Sequence, residues 1–424
     1  MIAAGNKTCL FDIYYLFGNK LDYLVEEDPR HLLEDICKYR GDIFLCTESD
    51  YLINNMANKM GYCHGIDYYL VADIANIIDK VYPIKNDLKP SQLFLEVYFS
   101  PHGKYKPCER DLYSAEVDKN GDIYACCSAW QKLAMGNIIK DGLYKSWNSF
   151  FAKILRLSTL NGTFCFCRTN RCANAIETVE PIDYQYKVAS SWPYELNIAI
   201  DDVCNLQCRF CREHIVKLKK EEKEKRIAIA QILRRDIENI SDLYVAGNGE
   251  VFASEVYEEL LVHMPKGKKL TLVTNGLLYN TEKVIALSKK TDYLSVYVSI
   301  DAARSDTYEY LRKNGSFKEL RERLAVIKQQ RAAGIIKRLV FRFVVQKRNY
   351  REMVEFITFG KEYLADYIDF TRIIDNETEY TKVFSECSLL DEHGKLYPQY
   401  KEWFKQPIFR DSYIHIDHAF VEKK

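Results

Sequence analysis

The chain has no apolar run long enough to span a bilayer. The longest, such as RLVFRFVVQ (338–346), are interrupted by charge. It has no excess charge: sixty Lys and Arg balance sixty Asp and Glu over 424 residues. A neutral total gives no general attraction to nucleic acid or to an anionic membrane. The opening residues, MIAAGNKTCLFDIYYLF, lack the basic segment, apolar core and small-residue cleavage site of a secretory signal. The cytoplasm is therefore the expected compartment, with no membrane partner and no nucleic-acid partner. G-x-G-x-x-G is also missing, so dinucleotide binding has no motif to rest on.

Cysteine, by contrast, is plentiful. Fourteen cysteines in a chain expected to be cytoplasmic point to metal or redox chemistry rather than to disulfides. They are unevenly spread. Cys9, Cys37, Cys46 and Cys63 are scattered. Cys108, Cys126, Cys127, Cys165, Cys167 and Cys172 form one group. Cys204, Cys208 and Cys211 form another, and Cys387 stands alone.

The hydrophobic pattern divides the chain into four stretches. Residues 1–95 alternate β-rich and helical runs. CLFDIYYLF, DIFLC and GIDYYLV read as strands. DPRHLLEDICKYR, SDYLINNMANKMG and a stretch near 71–81 read as helices. The expectation is a small parallel α/β unit resembling part of a Rossmann-like domain. Residues 96–180 are rich in cysteine, glycine and aromatics. Only DGLYKSWNSFFAKILRLSTL looks helical, with Leu143, Trp147, Phe150, Phe151 and Ile154 near 3.6-residue spacing. A stretch with so little core often depends on metal for stability. Residues 193–375 offer six strands separated by helices: ELNIAI, DLYVAG, KLTLVT, YLSVYVSI, RLVFRFVV and YIDFTRI. Six β/α units in succession predict a partial (β/α)6 barrel of TIM type. KLKKEEKEKR (217–226) reads as the solvated face of its first helix. Residues 376–424 form an irregular extension expected to pack over one end of the barrel.

The triplet CNLQCRFC (204–211) follows the first barrel strand, where parallel barrels place their chemistry. Three thiolates can hold three irons of a [4Fe–4S] cluster and leave the fourth open to another ligand. The bland alternative is a structural zinc with His214 as fourth ligand. The C-x3-C-x2-C loop resembles the signature of the radical S-adenosylmethionine (radical SAM) superfamily, and further pieces follow in that family's order. Gly247, Asn248, Gly249 and Glu250 match its Gly-Gly-Glu-type motif, which implies contacts to the SAM ammonium. VTNG ends the third strand. Ser299 and Asp301 end the fourth, where relatives hydrogen-bond the ribose or the methionine carboxylate. The resemblance also implies that Arg312 contacts that carboxylate and that Asn349 faces the adenine. Glycine-rich turns and a surface arginine are the ordinary readings of the same residues.

Cys108, twelve residues, Gly121, four residues and Cys126 resemble the C-x(9–15)-G-x4-C element of SPASM/twitch auxiliary-cluster domains. MGNIIKDGLYKSWNS resembles their next segment. The implied ligands of one auxiliary [4Fe–4S] cluster are Cys108, Cys126, Cys167 and Cys172. Cys165 for Cys167, Cys127 for Cys126, and a structural zinc all stay open. Such domains usually follow the barrel; here the element precedes it.

The resemblance implies an enzyme that cleaves SAM reductively to a 5′-deoxyadenosyl radical and abstracts hydrogen from an unactivated C–H bond. A flavodoxin- or ferredoxin-type protein would supply the electron. Oxidation of the substrate, epimerisation with Cys387 as hydrogen donor, and modification of a peptide or protein all remain open. The α/β unit at the start points to a small sugar- or nucleotide-linked substrate, with a peptide as the alternative. A cluster-bearing scaffold without turnover is the contrasting class.

Overall fold

The computed structural model describes residues 1–36, 38–39, 42–81, 89–100, 103–172, 174–179, 187–247, 249–374, 381–391 and 393–421. The chain divides into two compact units. One comprises Met1–Tyr113, Lys145–Thr169 and Asn174–Ser191. The other comprises Ser114–Tyr144, Asn170–Ala173 and Trp192–Lys424. No described helix is long and apolar enough to cross a membrane.

The first unit begins with β1 (Ile2–Gly5), α1 (Lys7–Phe17), β2 (Asp22–Val25), α2 (Pro29–Ile36) and β3 (Ile43–Cys46). It continues with α3 (Asp50–Lys59), β4 (Tyr69–Leu70), α4 (Val71–Val81) and α5 (Pro90–Phe99). The four strands make a parallel sheet in the order β2-β1-β3-β4. Leu32, Leu33 and Ile36 of α2 and Ile53 and Ala57 of α3 bury against Ala4, Ile43 and Leu45. CLFDIYYLF, expected as a strand, is the helix α1. Its apolar residues Leu10, Ile13 and Leu16 fall at helical spacing and are buried, and Asn6 caps the first turn by accepting from the Cys9 amide at 2.8 Å. GIDYYLV contributes only the two residues of β4 before the chain turns into α4.

The second unit holds β5 (Ser114–Asp118), β6 (Asp122–Tyr124) and β7 (Gly136–Asn137). The long helical stretch of the sequence is two helices, α6 (Gly142–Trp147), along which the chain returns to the first unit, and α7 (Phe150–Leu160), which belongs to the first unit. Ser149 restarts the second by accepting from the Ala152 amide at 3.0 Å. Then come β8 (Glu195–Ala199), α8 (Lys220–Asp236), β9 (Asp242–Val245), α9 (Glu255–Val262), β10 (Lys268–Thr274), α10 (Thr281–Ser288) and β11 (Thr291–Ser299). After these follow α11 (Ser305–Leu311), α12 (Phe317–Ala332), β12 (Arg338–Val345), α13 (Met353–Glu362) and β13 (Tyr367–Arg372). The chain ends through α14 (Thr381–Cys387), α15 (Pro398–Phe404) and β14 (Ile414–Ile416).

All six strands expected between 193 and 375 are present as β8 to β13, parallel and in sequence order. The sheet runs further than the six. β14 extends it beyond β13, while β5 pairs parallel with β8 and carries β6 and β7 antiparallel. The result is a ten-stranded mixed sheet, β14-β13-β12-β11-β10-β9-β8-β5-β6-β7, with β14 and β7 as its edges among the described residues. The strand order is that of the expected partial barrel.

Alternation sorts the side chains of this sheet. Phe341 and Phe343 of β12 and Phe370 of β13 pack on Phe356 of α13. The opposite face is polar. Arg342 lies over the rings of Tyr244 and Tyr297, and Tyr297 shares a 2.8 Å hydrogen bond with Tyr367. Rings two strands apart touch there, as on the concave side of a curled sheet.

Gly5 sits opposite Cys46 in the first unit's sheet, where a Cβ would overlap the Cys46 carbonyl. Gly5→Ala is expected to lower that unit's stability by about 1–3 kcal/mol, the usual cost of overpacking. Limited proteolysis should then cut within residues 1–81 faster than in the parent.

Candidate functional site: the cysteine loop and its supports

The cysteine loop has no regular structure of its own, so neighbouring segments must hold it. Arg226 pairs with Asp201 and with Asp202, each at 2.5 Å, and the side chains of Arg226 and Asp201 are almost fully buried. KLKKEEKEKR is thus a solvated face except at its last residue. Asp201 also accepts from Ser254 at 2.5 Å, and Lys119 reaches Asp202 at 2.6 Å. On the far side, the Gln207 and Arg209 amides donate to the carbonyls of Lys313 and Leu311 at 3.0 Å.

The motif after β9 presses against this loop. A Cβ on Gly249 would stand 2.8 Å from the Asp201 carbonyl oxygen and 2.9 Å from that of Val203. The Glu250 amide donates to Val203 O at 2.8 Å. The Glu250 carboxylate is buried and accepts from the Thr274 hydroxyl at 2.7 Å and the Asn275 amide at 2.6 Å. Burial raises its pKa, against these hydrogen bonds. Gly247 adopts φ +139°, and Asn248 lies outside the described residues.

Donors converge on the sulfurs. Asn275 Nδ2 lies 3.8 Å from Cys204 Sγ, and the Leu206 amide lies 3.4 Å from it. Arg212 stands 3.6 Å from Cys211 Sγ and Arg312 3.9 Å from Cys208 Sγ. Burial pushes the Cys208 thiol up to about 12 despite Arg312, and Cys204 is raised for the same reason. Such thiols are neutral until a metal ligates them as thiolates. Among the described residues no three His, Cys, Asp or Glu side chains form a single-ion site. A cubane spreads its thiolates over separate irons, so thiols set apart with cationic and amide donors facing them fit that group.

Asp301 ends the strand β11 on the left-handed side, at φ +68°, and is fully buried. Its carboxylate accepts from Arg312 at 2.6 Å and from the Val344 amide at 2.8 Å. Asn349 spends its amide nitrogen on the carbonyls of Asp301 and Val344, at 2.8 and 2.9 Å, and its oxygen on the Gln346 amide at 2.7 Å. Ser299 is half-buried at the end of β11. The Cys387 carbonyl accepts from the Lys347 amide at 2.9 Å. Burial raises the pKa of the Cys387 thiol, Glu386 adds to the rise, and the charges of Lys347 and Arg209 oppose it. Arg209 belongs to the cysteine loop, so Cys387 lies within electrostatic reach of that loop.

Around the second cysteine group, each thiol can be placed within its own unit. The Cys108 amide donates to Thr159 O at 3.1 Å. The Cys126 amide donates to Gln131 at 3.2 Å, and Cys126 is buried. Cys167 and Cys172 are half-buried. Cys127 hydrogen-bonds buried Glu116, and Cys165 is held at 3.4 Å by Ser100 and at 3.9 Å by the Glu96 carbonyl.

With the C-terminal ends of consecutive parallel strands converging on three cysteines, comparison with known families is decisive. Residues 198–360 match the radical SAM superfamily, and residues 108–173 match an iron-sulfur cluster-binding domain, SPASM. The chain carries a radical SAM domain. The SPASM domain lies ahead of it, in the unusual order the spacing indicated. The radical SAM domain is a catalytic domain that implies SAM and a SAM-binding [4Fe–4S] cluster, and the SPASM domain implies an auxiliary iron–sulfur cluster. No curated protein matches. Similar solved structures include SuiB of Streptococcus suis bound to its precursor peptide SuiA, with 16% identity and a TM-score of 0.39, covering 65% of this chain and 57% of SuiB. Another is anSMEcpe with AdoMet and the Cp18Cys peptide, at 19% identity and 0.38, covering 52% and 62%. A third is TYW1 with a lysine-pyruvate adduct, at 18% and 0.29, covering 41% and 62%. The chain therefore spans less than two thirds of each.

Several residues at this site escaped the sequence reading: Asp201, Asp202, Arg212, Arg226 and Asn275, which support or face the cysteine loop, and Gln346, buried just after β12. Gln346 is the sharpest case. It follows β12, in phase with Arg342, and is fully buried, yet neither polar atom of its amide has a partner among the described residues. A polar residue closing an apolar strand was the available signal.

Two outcomes follow for this site. Arg226→Met leaves two carboxylates without their cation and should destabilise the protein by about 3–5 kcal/mol, with loss of iron on purification. Urea titration and iron analysis measure both. Gln346→Leu removes an unsatisfied amide and should raise the urea midpoint, by about 1 kcal/mol of stability.

Proposed function

We propose that this radical SAM enzyme abstracts hydrogen from a peptide or protein segment and oxidises it, with the SPASM cluster as electron acceptor. When bound, the reduced cluster supplies one electron to the SAM sulfonium, whose S–C5′ bond breaks to give the 5′-deoxyadenosyl radical that removes hydrogen. Cys204, Cys208 and Cys211 hold that cluster. Arg212 and Arg312 compensate its thiolates, and Asn275 directs its amide to the Cys204 sulfur. Gly247, Gly249, Ser299 and Asp301 border the SAM site, and Glu250 and Asn349 brace the loops that form it. Cys108, Cys126, Cys167 and Cys172 are the auxiliary ligands.

The observation that carries the substrate class is the unclosed sheet. A concave polar face whose edges among the described residues are β14 and β7 can take an extended chain from the side. The small sugar- or nucleotide-linked substrate rested on the α/β unit at the start, and its natural phosphate site is the first turn of α1. That turn is already filled: Asn6 accepts from the Cys9 amide, and Glu27 accepts from the Lys7 amide at 3.1 Å. A carboxylate in that place repels a phosphate.

The test is anaerobic incubation with SAM and dithionite, reading 5′-deoxyadenosine. The parent should form it, and a peptide fraction of host extract should stimulate it more than a metabolite fraction does. The reverse order would return the assignment to a small molecule. Cys204→Ala with Cys208→Ala and Cys211→Ala should abolish formation and remove about four irons per chain. Cys126→Ala with Cys172→Ala should remove a similar amount of iron while leaving measurable cleavage.

A further inference from the structure

Beside the cysteine loop, three segments bring cations to one exposed tyrosine. Tyr310, at the end of α11, is 45% exposed. The Arg209 guanidinium stacks 4.1 Å from its ring centroid and donates to its hydroxyl at 3.2 Å. Arg348, from the loop after β12, lies 5.1 Å from the same centroid. Lys313 is exposed, and its carbonyl is tied to the Gln207 amide of the cysteine loop. Lys347 is exposed next to Arg348 and within reach of Cys387. Arg348 has a carboxylate partner, Asp306, at 3.1 Å. Among the described residues Arg209, Lys313 and Lys347 have none, although Glu213 and Glu309 are near the first two in sequence and Glu386 adjoins Cys387, whose carbonyl takes the Lys347 amide. Arg209, held by stacking rather than by an ion pair, and the exposed Lys313 and Lys347 are available to an anionic partner.

We propose that this basic surface of Arg209, Lys313, Lys347 and Arg348 around Tyr310 is the docking face for a small acidic one-electron carrier protein. The proposal rests on the radical SAM reading and goes beyond it by naming the surface. Position is its second support. Arg209 is exposed, adjacent to Cys208 and two residues from Cys211, so a carrier seated on Arg209 rests on the loop that carries the cluster ligands. One electron leaves the carrier for each sulfonium cleaved. The methionine sulfur would end with a lone pair made of one bonding electron and the carrier's electron, and the carbon would keep the other bonding electron.

The experiment compares two reductants on the reconstituted full chain, with SAM as the only other reagent. One is dithionite, a small reductant that needs no docking. The other is a reduced acidic flavodoxin. The variant is Lys313→Glu with Arg348→Glu, both exposed and outside the SAM site. The flavodoxin-driven rate of 5′-deoxyadenosine formation should fall at least tenfold at low salt, and its steep salt dependence should flatten. The dithionite-driven rate should stay within twofold of the parent. An unchanged flavodoxin rate overturns the proposal. An equal fall with both reductants overturns it too, by placing the charges in the SAM site or the fold. A parent that forms no 5′-deoxyadenosine with dithionite defeats the underlying functional reading instead.

Discussion

The arrangement depends on burying Arg226 between Asp201 and Asp202. A loop carrying three metal-binding thiols cannot be helical or extended throughout, so its backbone needs outside anchors. The ion pair supplies one at its start, from a helix that packs on the sheet. Isolated buried charges are costly, but this one is surrounded. Asp201 takes further hydrogen bonds from Ser254 and from the Asp202 amide, and Asp202 takes Lys119. The close approach at Gly249 is only possible once that loop start is fixed, because its backbone lies against the Asp201 and Val203 carbonyls. From there Glu250 carries the constraint to the end of β10, through Thr274 and Asn275, and Asn275 returns it to Cys204. The thiol array is held by a ring of buried polar contacts rather than by local propensity.

That ring explains what could be read beforehand. The six strands β8 to β13 were legible because each is an apolar or alternating run between helical stretches. The cysteine triplet was legible because its spacing is chemical. CLFDIYYLF misled because aromatic and β-branched residues favour strands when counted singly, while their placement at Leu10, Ile13 and Leu16 serves a helix. β5, β6 and β7 were missed because short strands in a cysteine-rich segment have no periodicity to show. Arg226 and Gln346 were hidden for a different reason. Whether a polar residue is solvated or buried is settled by tertiary packing, which a charge run or a strand end does not reveal.

Burial raises the pKa of both buried carboxylates at the mouth, against the Arg312 charge, but their partners differ. Glu250 faces hydroxyl and amide donors. Asp301 faces Arg312, whose desolvation its carboxylate outweighs. Asp301 is held at a positive φ that costs a non-glycine residue on the order of 1–3 kcal/mol. Its side-chain and backbone contacts to Arg312, Val344 and Asn349 make that conformation affordable. The strain turns the chain so that the carboxylate points back at the guanidinium instead of continuing the strand.

Electrostatics then couples the loop to its metal. Arg312 faces the Cys208 thiol, which burial keeps protonated, and Arg212 faces the Cys211 sulfur. Ligation converts each thiol to a thiolate and releases its proton. In that state both guanidiniums face thiolate charge, Arg312 in addition to the Asp301 carboxylate it already pairs with. The loop is thus built for the loaded state, and its stability and its cluster affinity are two readings of one set of contacts.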